Sequence, residues 1–461
     1  MSKNRRMYFW DLCFLGCAAA VLIFYKLGTK SLTTYDELFY AQSAKEMLHN
    51  GNWLTPFYFG SPFFDKPPLY MWVTAGFYAL FGVSEWSARL IAALAGVGSV
   101  LITYLLTRKL DDRKTGLLAA LLLLSSIHFF NYAKLATLDM ALTFFVCLSL
   151  YLFYLGLSKP AYHLGMGLAL AGAILTKGLG GFLPFFIIFV YLLLVKNLRL
   201  LKSRYLLAGL FIGLLVPALW VFYEYGGYGQ AFMQGVFWVN FSRVHHTLDQ
   251  HTGSFFRYFQ VIFSKGKLLS GPALIASFYL LGDYFFGKKR DVRTALPLAW
   301  VFVVLLLFSL TRTKLHWYIM PIYPALFMLL SVTLTRFISS VAVLRAVVIG
   351  SFAFLGVYQL THPGKFNDDT NAVFKQIGQT IAGFKHSEDR LFVYGDVEVR
   401  AIAFYADMPP HDMGELTPNT ARAIIVTDQH HFEALKPRVH LLNTPVYHFG
   451  KYLILQQSEA P

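Results

Sequence analysis

The sequence predicts an all-α polytopic membrane bundle of about eleven spans, with a small α/β domain at the C-terminus. The chain has 461 residues, of which 56% are apolar and 14% are charged, whereas soluble domains are about a quarter charged. Apolar runs such as 117–124, 182–195 and 296–310 follow one another along the chain. Because a helix needs roughly 20 apolar residues to cross a bilayer, this repetition indicates a bundle and not a single anchor.

Clusters of lysine and arginine between the spans predict the orientation of the chain. With the N-terminus in the cytoplasm, the basic segments 108–114, 196–204 and 286–294 all fall on the cytoplasmic side, as the positive-inside rule requires. The first span follows a basic N-terminus and lacks a small-residue cleavage site, so we interpret it as uncleaved. The spans are placed at about 8–26, 87–107, 115–131, 140–157, 163–177, 181–196, 203–222, 258–282, 295–311, 318–335 and 341–360.

This distribution accounts for the net charge of +15 without a nucleic-acid partner. The basic residues lie beside spans and form no basic face of a soluble domain, which argues against nucleic-acid binding. The three cysteines, Cys13, Cys17 and Cys147, lie in apolar segments, which argues against disulfides and against a zinc-thiolate site.

The orientation also predicts two domains. Residues 1–360 form a transmembrane domain, and its first outer loop, 27–86, carries the candidate catalytic residues. Within this loop the apolar segment 67–82 is short and begins with two prolines, so we expect a helix in the membrane interface on the outer side. Residues 361–461 form an outer domain, for which an amphipathic helix and alternating short strands predict a compact α/β unit. The helix contains Val373, Phe374, Ile377 and Ile381, and the strands are Leu391–Tyr394, Ala423–Val426 and Tyr452–Leu455.

Two neighbouring carboxylates, Asp36 and Glu37, follow the first span. Thr34 and Glu37 have the spacing of a capping box, which gives Glu37 a structural explanation. That explanation covers Asp36 less well. A carboxylate just outside a membrane is suited to accept a proton from a hydroxyl or to hold a metal ion, and the sequence leaves both alternatives open.

Lysines on the outer side are the next candidates. Lys66 precedes two prolines that restrict its backbone, so its ammonium suits a phosphate as a point charge; a snorkelling interfacial lysine is the alternative. Asp139 begins the fourth span and Lys177 ends the fifth. Ionisable residues at this depth are functional or paired, and a salt bridge from Asp139 to Lys177 or Lys134 is the structural alternative.

The outer loop 237–251 is rich in histidine and suggests a metal. The adjacent pair His245-His246 is not a regular helical ligand spacing, however. Arg243 is the stronger candidate, because a guanidinium group matches phosphate oxygens bidentately. The polar residues of this loop are Asn240, Arg243, His245, His246, Asp249 and His251.

Lys314 and Tyr318 lie in the segment 309–321, at the outer mouth of two spans. Cations on the outer side run against the positive-inside rule, and a bound anion would account for them. The topology thus brings acids and cations to one outer surface, which is typical of a site for an anionic polar ligand, and the apolar surroundings predict a lipid tail on that ligand. The residues of this surface are Asp36, Lys66, Asp139, Lys177, Arg243, Lys314 and Tyr318.

In the order and topology of these motifs, the chain resembles the GT-C superfamily of glycosyltransferases. The similarity is to the bacterial branch related to protein O-mannosyltransferases and to the aminoarabinose transferases of lipid A. It rests on Asp36-Glu37 followed by Tyr40, on Lys66-Pro67-Pro68-Leu69, on Asp139 with Leu142 and Phe144-Phe145, on Leu175-Thr176-Lys177-Gly178, on Arg243, and on Lys314-Leu315 with Tyr318 and Pro321.

The resemblance implies transfer of a sugar from a polyprenyl-phosphate donor, undecaprenyl phosphate in a bacterium, to a lipid, glycan or protein acceptor. The reaction would take place on the periplasmic side of the inner membrane and invert the anomeric carbon, and the resemblance leaves a divalent metal open. Asp36 resembles the catalytic carboxylate, with Glu37 beside it, and Lys66, Arg243 and Tyr318 match donor-phosphate positions. The supporting site residues are Asp139, Lys177 and Lys314.

A transporter or flippase for lipid-linked sugars is the competing interpretation, since it would share the bundle and the cations. Transporter sites usually lie near the bilayer midplane, on broken helices of related halves. The candidate residues here are predicted at the outer boundary, and the sequence shows no internal repeat, which favours the enzyme.

Overall fold

The computed structural model describes residues 3–33, 35–245, 253–288, 290–361, 369–417, 420, 422–435, 437 and 446–457, with side chains described for all of these except 3–5, 237–245 and 446. The chain divides into two compact units. The bundle unit comprises residues 1–27, 64–74 and 89–366, and the sheet unit comprises residues 28–63, 75–88 and 367–461.

Most of the helices are long and apolar. Within the described ranges, nine helical stretches are long and apolar enough to cross a membrane, in agreement with a polytopic bundle. Helices α1 to α14 are Lys3–Phe24, Tyr35–Asn50, Leu69–Phe81, Glu85–Leu110, Arg113–Leu124, Ile127–Tyr132, Leu138–Gly156, Tyr162–Lys177, Leu183–Leu194, Arg204–His245, Arg257–Phe286, Val292–Leu310, Tyr323–Phe337 and Val341–Thr361, and α15 to α17 are Ala372–Phe384, Val399–Ala406 and Gln429–Leu435.

Two of these helices turn back on themselves at a residue with positive φ. Gly229 in α10 has φ 53° and ψ −126°, and Lys267 in α11 has φ 52° and ψ −129°. The rings of Phe259 and Phe278, on either side of Lys267, are 6.2 Å apart, whereas a straight helix would separate these residues by about 28 Å. Each long helix is therefore two helical segments joined by a tight reversal.

The predicted spans compare with these helices as follows. Segment 115–131 is divided at Ser125-Ser126 into α5, which has 12 residues, and the short α6. Serine side chains compete for backbone groups and favour helix ends, which accounts for the break.

The predicted spans 163–177 and 181–196 lie in one 33-residue helical stretch. A Cβ on Gly181 would overlap the backbone of Ile174, so the chain reverses between α8 and α9. The number of spans stays a prediction.

The apolar segment 67–82 forms helix α3, which has 13 residues. At 1.5 Å per residue this helix is about 20 Å long, short of the roughly 30 Å of a hydrocarbon core. Its length fits the predicted interfacial helix, and its position at the interface stays a prediction.

The sheet unit contains a five-stranded mixed sheet, whose strands in spatial order are β4 (Pro410–His411), β3 (Arg390–Tyr394), β5 (Ala423–Asp428), β7 (Tyr452–Gln457) and β6 (Val446–Phe449). Strand β3 pairs in parallel with both β4 and β5, and β7 pairs antiparallel with both β5 and β6. Helix α15 buries Phe374, Ile377 and Ile381, as its periodicity predicts.

The sheet unit also includes residues 28–63 and 75–88, which were predicted as part of the transmembrane domain. The strands β1 to β7 are Phe57–Tyr58, Ser61–Pro62, Arg390–Tyr394, Pro410–His411, Ala423–Asp428, Val446–Phe449 and Tyr452–Gln457, and β3, β5 and β7 cover the three strands predicted from the sequence.

Candidate functional site

Asp139, which is buried, and Lys177, which is partly buried, form an ion pair in the bundle unit. Asp139 lies in the first turn of α7, and Lys177 is the last residue of α8. Asp139 is 1% exposed, and its carboxylate accepts a hydrogen bond from the Lys177 ammonium. Lys177 Nζ also lies 4.8 Å from the centre of the Tyr318 ring. The fold thus brings together three predicted site residues that are distant in the sequence.

Lys66 lies in the loop that precedes α3. Its Nζ is 2.7 Å from the carboxylate of Asp65, and the residue is buried. Pro67 packs beside the end of α8, since a Cβ on Gly178 would lie 3.9 Å from the Pro67 ring. The two prolines after Lys66 therefore place its ammonium group against the bundle, not at a solvated surface. This geometry argues against a snorkelling lysine.

The two ion pairs lie close together, because Pro67, the residue after Lys66, packs beside Gly178, the residue after Lys177. Each lysine has its own acid partner, so the two pairs are close to neutral as a group. Buried charges are tolerated when they are paired in this way. The polar cluster, as we call it, consists of Lys66, Asp139, Lys177 and Tyr318.

Lys314 is buried and bonds to the backbone of its own loop, and its predicted supporting role in the ligand site stays a prediction. Its ammonium donates to the carbonyl oxygen of Ser309 at 2.7 Å and to that of Thr311. The last carbonyls of a helix have no partner within the helix, and Lys314 satisfies one of them at the end of α12. The sequence analysis assigned Lys314 to the ligand site, and the structure shows this cation bonded to the backbone of its own loop.

Tyr258 is a residue that the sequence analysis missed. It is fully buried at the start of α11, and its hydroxyl donates to the carbonyl oxygen of Leu315 at 3.3 Å. Electrostatic interactions link it to both Tyr318 and Asp139. Tyr258 is the first residue of the predicted span 258–282. Its position next to the cation Arg257 is the signal in the sequence that suggests a place in the polar site.

The histidine-rich loop is only partly described. Arg243 and His245 end helix α10, and their side chains lie outside the described residues. Among the described residues, no three histidine, cysteine, aspartate or glutamate side chains are grouped so that they could hold a metal ion. The roles predicted for Arg243 and for a metal in this loop stay predictions. The residues His246, Asp249 and His251 lie outside the described ranges.

Asp36 and Glu37 lie in the first turn of α2, in the sheet unit. Glu37 is fully buried, and its carboxylate accepts hydrogen bonds from the backbone nitrogen of Thr33 at 3.0 Å and from the Thr33 hydroxyl at 3.3 Å. The expected partner, Thr34, lies outside the described residues. A carboxylate that reaches back to a backbone N–H just before the helix has the structural role predicted for Glu37. Asp36 is half-buried.

Comparisons with known proteins agree with the helical membrane bundle described above. Residues 65–223 match the family described as dolichyl-phosphate-mannose-protein mannosyltransferase. A protein of unknown function from Aquifex aeolicus is 36% identical over 66% of this chain and 60% of its own length, and a second one is 32% identical over 76% and 79%. The undecaprenyl phosphate-alpha-4-amino-4-deoxy-L-arabinose arabinosyl transferase 2 of Pseudomonas fluorescens is 30% identical over 68% of this chain. The chain spans only 54% of that transferase.

The fold is also that of a solved structure. ArnT from Cupriavidus metallidurans, bound to undecaprenyl phosphate, has a TM-score of 0.79 and 21% identity, with 97% of this chain and 99% of the other covered. At this identity the similarity concerns the fold alone. Taken with the family match, it completes the identification. The chain belongs to the GT-C glycosyltransferases, in the branch related to protein O-mannosyltransferases and to the aminoarabinose transferases of lipid A.

Proposed function

We propose that this protein transfers a sugar from a polyprenyl-phosphate donor to an acceptor hydroxyl on the outer side of the membrane. The observation that carries the proposal is the polar cluster, in which buried Lys66, partly buried Lys177 and Tyr318 lie among apolar helices. The printed name of the Pseudomonas relative specifies an undecaprenyl-phosphate-linked sugar, and the similar ArnT structure contains undecaprenyl phosphate. Both support a donor of this chemistry.

The charges of the polar cluster suggest how the donor phosphate is held. Lys66 and Lys177 are each paired with a carboxylate, so a phosphate that binds there needs a further cation. Arg243 is the residue to supply it, because its guanidinium can bond two phosphate oxygens at once. In this proposal Lys66, Arg243 and the Tyr318 hydroxyl contact the phosphate, and Asp139 keeps Lys177 in place.

An apolar wall next to Lys66 suits the lipid part of the donor. The partly buried rings of Phe64 and Tyr228 are 5.1 Å apart, and they pack on the buried side chains of Phe232 and Trp220. Leu175, two residues before Lys177, belongs to the same cluster. A prenyl chain that covers such a wall gains its binding free energy from apolar burial alone. That free energy does not depend on which sugar the donor carries.

The transfer itself requires one base and one leaving group. The acceptor oxygen attacks C1 of the sugar, the bond between C1 and the phosphate oxygen breaks, and polyprenyl phosphate leaves with the electron pair. Asp36 accepts the proton of the acceptor hydroxyl. Cations around the phosphate stabilise the negative charge that develops on it. Attack from the face opposite the phosphate inverts the anomeric carbon.

The proposal is tested with the purified full-length protein in lipid nanodiscs and a panel of polyprenyl-phosphate sugars. We expect one donor to be consumed with release of an equal amount of polyprenyl phosphate, and the acceptor product to gain one sugar by mass spectrometry. Movement of an intact donor across a liposome bilayer without cleavage would instead establish a transporter.

A further inference from the structure

Helix α2, which carries Asp36, is attached at both ends to the C-terminal part of the sheet unit. Just before the helix, the backbone nitrogen of Leu32 donates to the hydroxyl of Tyr405 at 2.9 Å, and Asn371 donates to the Leu32 carbonyl oxygen at 2.8 Å. Toward its other end, buried Lys45 lies 2.7 Å from the carboxylate of Asp407. The chain around Asp36 is therefore fixed by residues from the far end of the sequence.

Arg400 contacts Tyr35, the residue directly before Asp36. Its guanidinium carbon lies 4.0 Å from the centre of the Tyr35 ring. Tyr35 is 55% exposed. Guanidinium groups stack on aromatic faces in a planar arrangement that an ammonium group cannot reproduce. Arg400 thereby restrains the residue directly before Asp36.

The same arginine also acts on the β1–β2 hairpin. Burial raises the pKa of the Tyr58 hydroxyl to about 12, and an interaction with the Arg400 guanidinium opposes this rise. The Tyr58 ring in turn stacks on Phe39 of α2 at 4.0 Å. Phe39 lies one helical turn after Tyr35, and these two rings are 5.7 Å apart. Arg400 thus contacts Tyr35, one member of an aromatic stack that also contains Phe39 and Tyr58.

We propose that Arg400 is a positioning residue for Asp36, acting through Tyr35. This inference rests on the proposed role of Asp36 in transfer. Arg400 is half-exposed, and its ion pair with Glu398 is long, at 3.5 Å. Its removal therefore leaves no buried charge and leaves the fold of the sheet unit intact. What changes is the freedom of the Asp36 carboxylate, and small misplacements of a reacting group have large effects on turnover.

The test combines kinetics with a structural readout on the full-length protein. We expect Arg400→Gln to lower kcat by about tenfold, with the donor KM unchanged, and Arg400→Lys to keep more of the activity than Arg400→Gln. Tyr35→Ala should lower kcat to a similar extent, and the double variant should lose no more than either single variant. The matched control is Arg422→Gln, because Arg422 is an exposed arginine of the same unit paired with Glu388.

Hydrogen–deuterium exchange of the amides at 35–39 gives the second readout, with the amides of β5 as the check on folding. Faster exchange at 35–39 in Arg400→Gln, with β5 unchanged, is the expected result. Additive losses in the double variant, a change in the donor KM alone, or unchanged exchange at 35–39 would each overturn the positioning role. If the wild-type protein cleaves no donor, the proposed function fails by itself, and the exchange result still decides whether Arg400 restrains α2.

Discussion

Asp36 and Glu37 are neighbours with different surroundings. Glu37 is buried and bonded to the backbone of Thr33, whereas Asp36 is half-buried. Glutamine can accept the same hydrogen bond, so Glu37→Gln should keep most of the activity. Asp36→Asn removes the base while keeping the shape, and we expect turnover to fall by about 10²–10⁴-fold.

Initial rates of sugar transfer, compared at equal amounts of folded protein, measure this difference. Near-normal turnover in Asp36→Asn would end the assignment of Asp36 as the base. A larger loss in Glu37→Gln would exchange the two roles.

Lys66 and Arg243 give the second prediction at the residue scale. Loss of one charge-assisted contact to a phosphate costs about 1.5–3 kcal/mol, so Lys66→Ala and Arg243→Ala should each raise the donor KM by roughly 10- to 150-fold. Lys66→Ala leaves the partly buried Asp65 carboxylate without its lysine. The double variant Asp65→Asn/Lys66→Met therefore separates the loss of phosphate binding from the cost of breaking that ion pair.

Donor titrations at several salt concentrations provide the measurement. Exposed Lys109, in the basic segment predicted to be cytoplasmic, supplies a control in Lys109→Ala. An unchanged donor KM in both the Lys66 and the Arg243 variants would contradict a shared phosphate site.

At the scale of elements, helices α8 and α10 are packed through glycine. A Cβ on Gly167 would overlap the carbonyl oxygen of Gly209, and a Cβ on Gly209 would overlap the backbone of His163. Small residues let membrane helices approach closely and gain dispersion contacts. We expect Gly167→Ala to force the two helices apart and to lower stability by about 1–3 kcal/mol.

Thermal unfolding of the detergent-solubilised protein checks this expectation. The control is Gly282→Ala in α11, where a Cβ would meet nothing within 4 Å and alanine should be neutral or stabilise by about 0.5–1 kcal/mol. Equal midpoints for the two variants would show that the α8–α10 contact is not tight.

Strand β5 ends in a carboxylate that makes the sheet unit sensitive to acid. Burial raises the pKa of Asp428, but hydrogen bonds from the backbone of Asp396 and from His431 outweigh it and hold the pKa at about 2, below its ordinary 3.8. The carboxylate therefore stabilises the folded unit above about pH 4. This contribution is lost as the pH falls from about 4 through 2.

We expect Asp428→Asn to weaken the sheet at pH 7 by about 1–3 kcal/mol, and the difference from the wild type to shrink below pH 4. Hydrogen–deuterium exchange of the β5 amides, after incubation at each pH, measures it. Asp412→Asn is the control, since Asp412 is an exposed cap that asparagine replaces well. A constant difference down to pH 2 would contradict the assignment.

At the scale of the whole molecule, the distribution of lysine and arginine predicts the topology. We expect the segments 108–114, 196–204 and 286–294 to face the cytoplasm, and the segments 27–86 and 361–461 to face outward. Single cysteines at positions 60, 114 and 410, in a background without the three native cysteines, test this in intact cells with an impermeant reagent. Labelling of position 60 or 410 only after lysis would invert the predicted orientation.

The family and the helical bundle could be read from the sequence, because both depend on local patterns. Hydropathy is a sum over neighbouring residues, and each motif, such as Lys66-Pro67-Pro68 or Leu175-Thr176-Lys177-Gly178, is contiguous. The same locality explains the errors. The serines at 125–126 break a hydrophobic run whose average hydropathy is still high enough to predict a span. The reversal in α11 occurs at Lys267, a residue type that seldom adopts positive φ.

By itself, then, the sequence determined that the chain is a GT-C membrane bundle. It also determined which charged residues the bundle contains and where three strands of the C-terminal sheet lie. Only the tertiary structure decided which charges meet. Lys177 pairs with Asp139 and not with another acid, Lys314 is used by its own loop, and Arg400 stacks on Tyr35. Pairings of this kind join side chains that are tens to hundreds of residues apart, or they depend on the exact path of a loop. Neither composition nor periodicity contains that information.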